Sequence, residues 1–134
     1  MPLRISLKAR ERLVINGAVI RNGGRVADLL IETACQFIRE SEIIRESEAD
    51  TPAKKLCVTL QVIHLADDPT DAKALLMAQS AEVLQIMPSA APFLLEIQDW
   101  LAGGHTYPAL RSGRHLVYHE RNMMADQNKG VRAA

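Results

Sequence analysis

The chain has 134 residues and a mass of 14.8 kDa, and its 48% hydrophobic content is enough for a compact core without disulfides or a structural metal. Sixteen basic residues balance sixteen acidic ones. This balance excludes a protein that binds polyanions through its overall charge, but it leaves room for a local basic patch.

Cysteine content and hydropathy indicate the compartment. Cys35 and Cys57 are too few for a disulfide framework and each stands in an apolar run, so we expect both thiols to pack in a core. Such usage is typical of the reducing cytoplasm. The sequence predicts neither a signal peptide nor a membrane-spanning helix, because no apolar run approaches about 20 residues.

Charge is distributed unevenly along the chain. Residues 1–39 contain seven basic and three acidic residues, a net charge of +4. Residues 40–100 carry −7 and residues 101–134 carry +3. The asymmetry indicates an N-terminal end that faces a polyanion, and the alternative is chance clustering on a solvated surface.

The first 40 residues have the pattern of β-strands. Apolar and polar residues alternate over 3–7, which predicts a strand with one buried face. Asn16-Gly17 separates the apolar runs 13–15 and 18–20, and this dipeptide predicts a tight hairpin because both central residues need positive φ. A second turn and two further strands are predicted at 22–24, 26–31 and 34–38. Together they predict a small antiparallel meander or open barrel.

The remainder predicts helices. Residues 39–48 are charged and indicate a linker or a short helix, after which Thr51 and Pro52 predict the N-cap and first residue of a helix. That helix, over 52–66, is apolar on most sides. Thr70 with Asp71 is predicted to cap the next. Further helices are predicted over 71–87 (ended by Pro88), around 93–101 (closed by Gly103-Gly104) and over 107–125 (interrupted by Gly113).

These patterns predict an α+β protein. A β-rich domain is expected over 1–45, followed by a helical domain over 46–126 with three to four helices. Residues 127–134 are expected to form a flexible tail.

Catalytic chemistry has little support in the sequence. No phosphate loop, dinucleotide fingerprint or nucleophile elbow occurs. His115 and His119 are spaced to share a helix face and could hold zinc, but Leu116 replaces the glutamate of a zincin, so exposed or capping histidines are preferred. The acids between Glu40 and Asp50 could suggest a nuclease, but a solvated face explains them better. We therefore predict no catalytic residue, no metal, no cofactor and no enzymatic activity.

Basic residues of the strand region are the better functional candidates, because Arg and Lys bind phosphates and Arg also reads base edges in single-stranded loops. Phe37 is the only aromatic residue in this half, so binding would depend on charge rather than on stacked bases. The predicted RNA-binding residues are Arg4, Lys8, Arg10, Arg12, Arg21, Arg25 and Arg39.

Four separated segments form a recognisable pattern: MPLRISLK at 1–8, INGAVIRNG at 15–23, IRE at 38–40 and ADTPA at 49–53. Together they resemble the FlbT family, the regulators of flagellin synthesis in flagellated bacteria. The resemblance implies post-transcriptional control: its members associate with the 5′ untranslated region of flagellin mRNA and repress translation or promote decay. It also implies action alongside a second small regulator, FlaF, and no catalytic activity.

A second resemblance is to the carbon storage regulator family of small RNA-binding proteins. Residues 7–17 resemble the first hairpin of that family, and FIRESEI at 37–43 resembles its last strand. The resemblance implies a dimer of interleaved strands in which Arg39 contacts RNA, with Lys8 beside the other expected arginine position.

From these observations we expect a cytoplasmic repressor that binds flagellin mRNA and forms a homodimer. The alternative is a protein-interaction module in which the helical half binds FlaF or flagellin and mRNA is affected indirectly. The acidic middle segment and the apolar helix over 52–66 favour this alternative.

Overall fold

The computed structural model describes residues 3–16, 18–33 and 35–133, with side chains described as far as Asp126. Gly17 of the predicted hairpin and Ala34 of the predicted fifth strand lie outside this part. Five strands come first: β1 (Leu3–Leu7), β2 (Arg12–Ile15), β3 (Ala18–Arg21), β4 (Ala27–Ile31) and β5 (Phe37–Arg39).

Four α-helices follow in the described residues: α1 (Pro52–Leu65), α2 (Thr70–Ile86), α3 (Ala91–Ala102) and α4 (Thr106–Ala133). The predicted α+β class is confirmed. The contacts divide the chain into two compact units. The β unit contains the strands to Ile43 together with Leu65–Asp67, and the helical unit contains Ile44–His64 and the chain from Asp68 onward.

The strands form two small antiparallel sheets. One pairs β1 with β4 from Leu3 opposite Ile31 to Leu7 opposite Ala27. The other has the order β3-β2-β5, in which the predicted hairpin joins β2 to β3. Two of the three pairings join strands that are distant in sequence, so the strand order is not that of a meander.

The core of the β unit is small. Its fully buried apolar side chains are Ile5, Leu7, Leu13 and Ile38. The alternation predicted for β1 is confirmed from Arg4 to Leu7, where exposed Arg4 and Ser6 alternate with buried Ile5 and Leu7. It is wrong at Leu3, which is 46% exposed. Between the strands and α1, the charged stretch forms single 3₁₀ turns at Glu40–Glu42 and Glu46–Glu48 rather than a continuous helix.

The first helix of the helical unit starts where the sequence predicts. Thr51 Oγ1 accepts the N–H of Lys54 at 3.3 Å, as an N-cap does. Glu120 of α4 adds a second cap, since its Oε2 lies 3.1 Å from the backbone nitrogen of Ala53. Both caps satisfy N–H groups that the first turn of a helix leaves without partners.

Helices α1 and α4 come close together at Gly113, a contact that we call the helix crossing. A Cβ at Gly113 would lie 2.6 Å from Leu60 Cδ1 and 3.6 Å from Cys57 Sγ, so the missing side chain lets the two helices approach closely. The predicted interruption of the last helix at Gly113 is therefore wrong: α4 is continuous, and the glycine serves packing rather than a turn.

Burial raises the pKa of the Cys57 thiol to about 11, and the positive charge of Arg114 opposes this effect.

The N-terminal end of α2 differs from its predicted cap. The predicted cap of α2 at Thr70 with Asp71 is wrong: Pro69 occupies the N-cap position, and Asp68 before it accepts the Thr70 N–H at 3.2 Å and the Thr70 hydroxyl at 2.6 Å through Oδ1. These hydrogen bonds lower the pKa of Asp68. The C-terminal ends of α2 and α3 are as predicted: Pro88 follows α2 after one residue, Met87, and Gly103 and Gly104 follow α3, with Gly104 at a φ of 78°.

Buried polar side chains tie distant parts of the helical unit together. Gln61 donates from Nε2 to the Ile44 carbonyl at 2.9 Å and accepts the Ile44 N–H at 2.7 Å. His64 Nδ1 lies 2.8 Å from Thr106 Oγ1 at the start of α4. No helix in the described part of the chain is long and apolar enough to cross a membrane.

Candidate nucleic-acid interface

The predicted RNA-binding residues all lie in the β unit, at different exposures. Arg12 and Arg39 are half-buried in the three-stranded sheet. The other five side chains are exposed and, in the part of the chain that the structure describes, form no ion pair: Arg4, Lys8, Arg10, Arg21 and Arg25. Exposed cations without a protein counterion are the groups that a phosphate can contact at least cost in desolvation.

One side-chain amide joins the two turns that carry three of these cations. Asn22 Nδ2 lies 3.0 Å from the Leu7 carbonyl, 3.2 Å from that of Lys8 and 2.7 Å from that of Arg25. Its Oδ1 accepts the Gly24 N–H at 3.1 Å. Asn22 therefore fixes the turn after β1 to the turn before β4.

The backbone of Asn22 completes this link. Its N–H donates to the Glu11 carbonyl at 3.0 Å, and its carbonyl accepts the Arg10 N–H at 2.6 Å. Arg10 and Glu11 thus both lie opposite Asn22, and this arrangement of two residues against one is a β-bulge. We call the three exposed cations held in this way, Lys8, Arg10 and Arg25, the basic turn cluster.

Arg10 itself has an unusual backbone. Its φ is 65°, in the left-handed region that glycine and asparagine adopt far more readily than arginine. The bulge with Asn22 accounts for this left-handed backbone, and the presence of arginine where glycine is usual points to a role for its side chain.

Arg12 and Arg39 lie on opposite faces of the three-stranded sheet. Arg39 is in register with Leu13, whereas Arg12 is in register with Arg21 and points the other way. Each also lies near a carboxylate. Arg39 Nη1 is 3.7 Å from Glu11 Oε1, and Arg12 Nε is 3.9 Å from Glu40 Oε2. A ligand on one face of this sheet therefore meets only one of the two arginines.

Glu11 has a second role in the turn. Its Oε1 also accepts the backbone N–H of Lys8 at 3.0 Å. The same carboxylate oxygen thus holds the turn after β1 and approaches Arg39 from β5.

The histidines considered for zinc do not come together as a site. His119 Nε2 lies 2.8 Å from Ser89 Oγ and its ring stacks on Phe93 with centroids 4.9 Å apart. His115 is exposed. Among the residues with described side chains, no three metal-binding groups are close enough to hold an ion.

A second surface feature lies in the helical unit. A groove of about 600 Å³ runs between the start of α1, the end of α2 and α4. Its polar border includes Asp50, whose pKa is lowered by a hydrogen bond from Lys54 at 3.0 Å. We call it the methionine groove, and its apolar lining residues are Pro52, Val83, Ile86, Met87, Pro88, Met123 and Met124.

Two features of these candidate sites, the side-chain link from Asn22 and the methionine groove, were not predicted from the sequence. Asn22 was assigned only to a turn, although an asparagine before two glycines and between two basic turns could have indicated a side-chain link. The methionine groove had a weaker signal, since Met87 and the pair Met123-Met124 are far apart in sequence.

Comparisons with known proteins agree on one family. A family model described as flagellar protein FlbT matches residues 3–124. The probable flagellum biosynthesis repressor protein FlbT of Rhodopseudomonas palustris strain TIE-1 is 30% identical over 125 residues, which cover 93% of this chain and 99% of the relative.

Two further relatives have similar coverage. The probable flagellum biosynthesis repressor protein FlbT of Mesorhizobium japonicum is 34% identical, over 91% of this chain and 84% of its own. The flagellum biosynthesis repressor protein FlbT of Caulobacter vibrioides strain CB 15 is 27% identical, and the match covers 99% of this chain and 96% of the relative. No solved structure matches the chain at a significant level.

Proposed function

The chain belongs to the FlbT family of flagellar proteins, and on this basis we propose that it represses flagellin synthesis by binding the 5′ untranslated region of flagellin mRNA. Its relatives are named as repressors of flagellum biosynthesis, which indicates a regulatory protein and not an enzyme. The protein acts where the mRNA is translated, in the cytoplasm.

The basic turn cluster is the observation that carries this proposal. One asparagine holds the backbone of the two turns that carry the three cations, so the points from which these side chains extend are set before a ligand arrives. Pre-set positions reduce the entropy that binding must overcome. The unusual φ of Arg10 supports the same region.

The remaining basic residues have supporting roles. Arg21 and Arg12 extend one face of the three-stranded sheet, and Arg4 lies on the exposed face of β1. Arg39 lies on the other face beside Glu11, where RNA phosphate would compete with the carboxylate. We therefore assign the first contact to the basic turn cluster and secondary contacts to these four.

A protein bound to the mRNA leader would act by changing how easily the ribosome and cellular nucleases reach the message. A protein bound there reduces access of the ribosome to the start of the message and changes access of cellular nucleases. Both effects lower flagellin synthesis without any catalytic group in the protein.

A salt titration tests direct RNA binding. The purified full chain is titrated with the flagellin leader RNA and with a scrambled RNA of equal length. Selective binding whose log affinity falls steeply with log salt concentration is expected. A variant with Lys8, Arg10 and Arg25 changed to Gln should flatten the slope by about 2, at about 0.7 for each single-strand phosphate contact. Equal slopes for both proteins would place the contact elsewhere.

Arg10→Gly separates binding from folding. Glycine adopts positive φ without strain, so stability should rise by up to about 1 kcal/mol. RNA affinity should nevertheless fall, because the guanidinium is lost. Unchanged affinity in folded Arg10→Gly would count against the basic turn cluster.

Arg39→Ala should also weaken RNA binding while the fold is retained, but by less than the variant of Lys8, Arg10 and Arg25.

The second candidate function is protein binding by the helical unit, favoured by the methionine groove. Methionine side chains adapt to different apolar surfaces, and grooves of this kind take amphipathic helices. In this version FlaF or flagellin occupies the groove and the effect on mRNA is indirect.

Matched charge substitutions test the groove. Ile86 in the groove and Leu95 on α3 are each 64% exposed. Ile86→Lys should abolish capture of purified FlaF or flagellin, whereas Leu95→Lys should leave it unchanged. Capture together with absent RNA binding would favour this second function. Equal capture by both variants would exclude the groove.

A further inference from the structure

The strand β3 has an open edge. Among the described strands it pairs only with β2, and all four of its residues are exposed. Asn22 exchanges its backbone hydrogen bonds with Arg10 and Glu11 of the neighbouring strand region. Because such bonds alternate along an antiparallel pair, Ala18 and Ile20 bond toward β2, and the N–H and C=O groups of Val19 and Arg21 point to the open edge.

This edge is only partly protected against pairing, because Arg21 is charged and a bulge follows the strand, but Val19 and Ile20 are exposed beside it. Val19 is 64% exposed and Ile20 is 42% exposed, and the strand contains no proline. Natural edge strands are normally shielded by lysine, proline, a bulge or a covering element. The β unit is also small and has few buried apolar side chains, so pairing with a second copy would add to its stability.

We propose that two copies of the chain pair through their β3 strands in antiparallel register, with Ile20 facing Ile20 of the partner subunit on a two-fold axis. The backbone N–H and C=O groups of Val19 and Arg21, which point to the open edge, set this register. Val19 then exchanges both backbone hydrogen bonds with the partner's Arg21, and Arg21 does the same with the partner's Val19, which gives four hydrogen bonds.

A second copy fits this edge better than an unrelated strand. The two outward residues stand symmetrically about Ile20, so the edge is complementary to itself. In this register each Arg21 lies opposite a valine, so like charges are not placed face to face. The two-fold axis is perpendicular to the sheet, so Arg12 and Arg21 of both copies lie on one continuous face.

The proposal goes beyond RNA binding and does not require it. Four residues from each copy make a short interface, so we expect a dimer that dissociates on dilution rather than an obligate one.

Matched valine substitutions in the full chain, without RNA, provide the first test. Val19 and Val26 are 64% and 63% exposed, and only Val19 lies on β3. Sedimentation equilibrium should show a reversible dimer for the wild type and for Val26→Lys, and a monomer for Val19→Lys with unchanged circular dichroism. A wild type that is monomeric at its highest soluble concentration would overturn the proposal. So would a dimer that Val26→Lys disrupts or that Val19→Lys leaves intact.

Site-specific cross-linking tests the register. In a Cys35→Ser background, Ile20→Cys should form a disulfide-linked dimer under mild oxidation, since residues directly opposite in a non-hydrogen-bonded pair have suitable Cα separation. Val19→Cys should stay reduced because Arg21 of the partner subunit faces it. Equal cross-linking of the two variants, or none in either, would show that the copies do not meet in this register.

Discussion

The two units of this protein differ in how they use their polar groups. In the helical unit, polar side chains are buried and satisfy backbone groups far away in sequence, as Gln61 does for Ile44 and Glu120 does for Ala53. In the β unit, five of the seven candidate cations are exposed, and the polar side chain of Asn22 holds turns together. This difference leads us to expect larger losses of stability from substitutions in the helical unit, and it fits our proposal that the β unit binds RNA.

The largest expected effect is at the helix crossing. Gly113→Val should destabilise the protein by about 3 kcal/mol, because its side chain would collide with buried Leu60. Ala81→Val, on an exposed site of α2, is the control and should cost about 0.5 kcal/mol. Urea unfolding measures both. Equal losses for the two variants would show that the crossing is looser than the structure indicates.

Alkaline pH should weaken the helical unit through Cys57. Its pKa is raised by burial from 9.0 to about 11, so the unfolded chain loses this proton first as the pH rises. The stability that depends on the neutral thiol is complete below pH 9.0 and is lost progressively up to about pH 11, by about 2–3 kcal/mol. Cys57→Ala should lack this loss. Parallel pH profiles of unfolding free energy for the two proteins would contradict the assignment.

The buried amide of Gln61 gives a somewhat smaller effect. Gln61→Ala leaves the N–H and C=O of Ile44 without their partner and should cost about 2 kcal/mol. Gln85→Ala removes the same side chain from an exposed site on α2 and should change stability by about 0.5 kcal/mol or less. Thermal unfolding of the two variants gives the comparison, and a Gln61→Ala as mild as the control would be inconsistent with this tie.

The smallest global effect is expected in the β unit. Asn22→Asp keeps the acceptor for Gly24 but loses the N–H donors to three carbonyls, at a cost of about 1 kcal/mol. Amide hydrogen exchange should accelerate over residues 8–11 and 22–25 and remain unchanged in the helices. Asn122→Asp on α4 is the control. Acceleration that spreads through the helical unit would show that the two units do not respond separately.

Local signals in the sequence predicted the elements well, for physical reasons. Asn16-Gly17 selects a hairpin and Thr51-Pro52 starts a helix, because each acts through backbone geometry within a few residues. The same local reasoning was wrong at Gly113, where a helix-weakening residue was interpreted as an interruption. The contact with Leu60, 53 positions earlier in the chain, explains that glycine.

The sequence by itself determined the fold class, the exposed face of β1 and the collection of cations in the first 39 residues. Only the tertiary structure decided that β1 pairs with β4, that Asn22 joins Lys8 and Arg25, and that Arg12 and Arg39 point to opposite faces. Periodicity and capping act along the chain and can be read from it. Strand pairing and side-chain links depend on which distant surfaces bury the most apolar area together, and a single sequence does not contain that choice in local form.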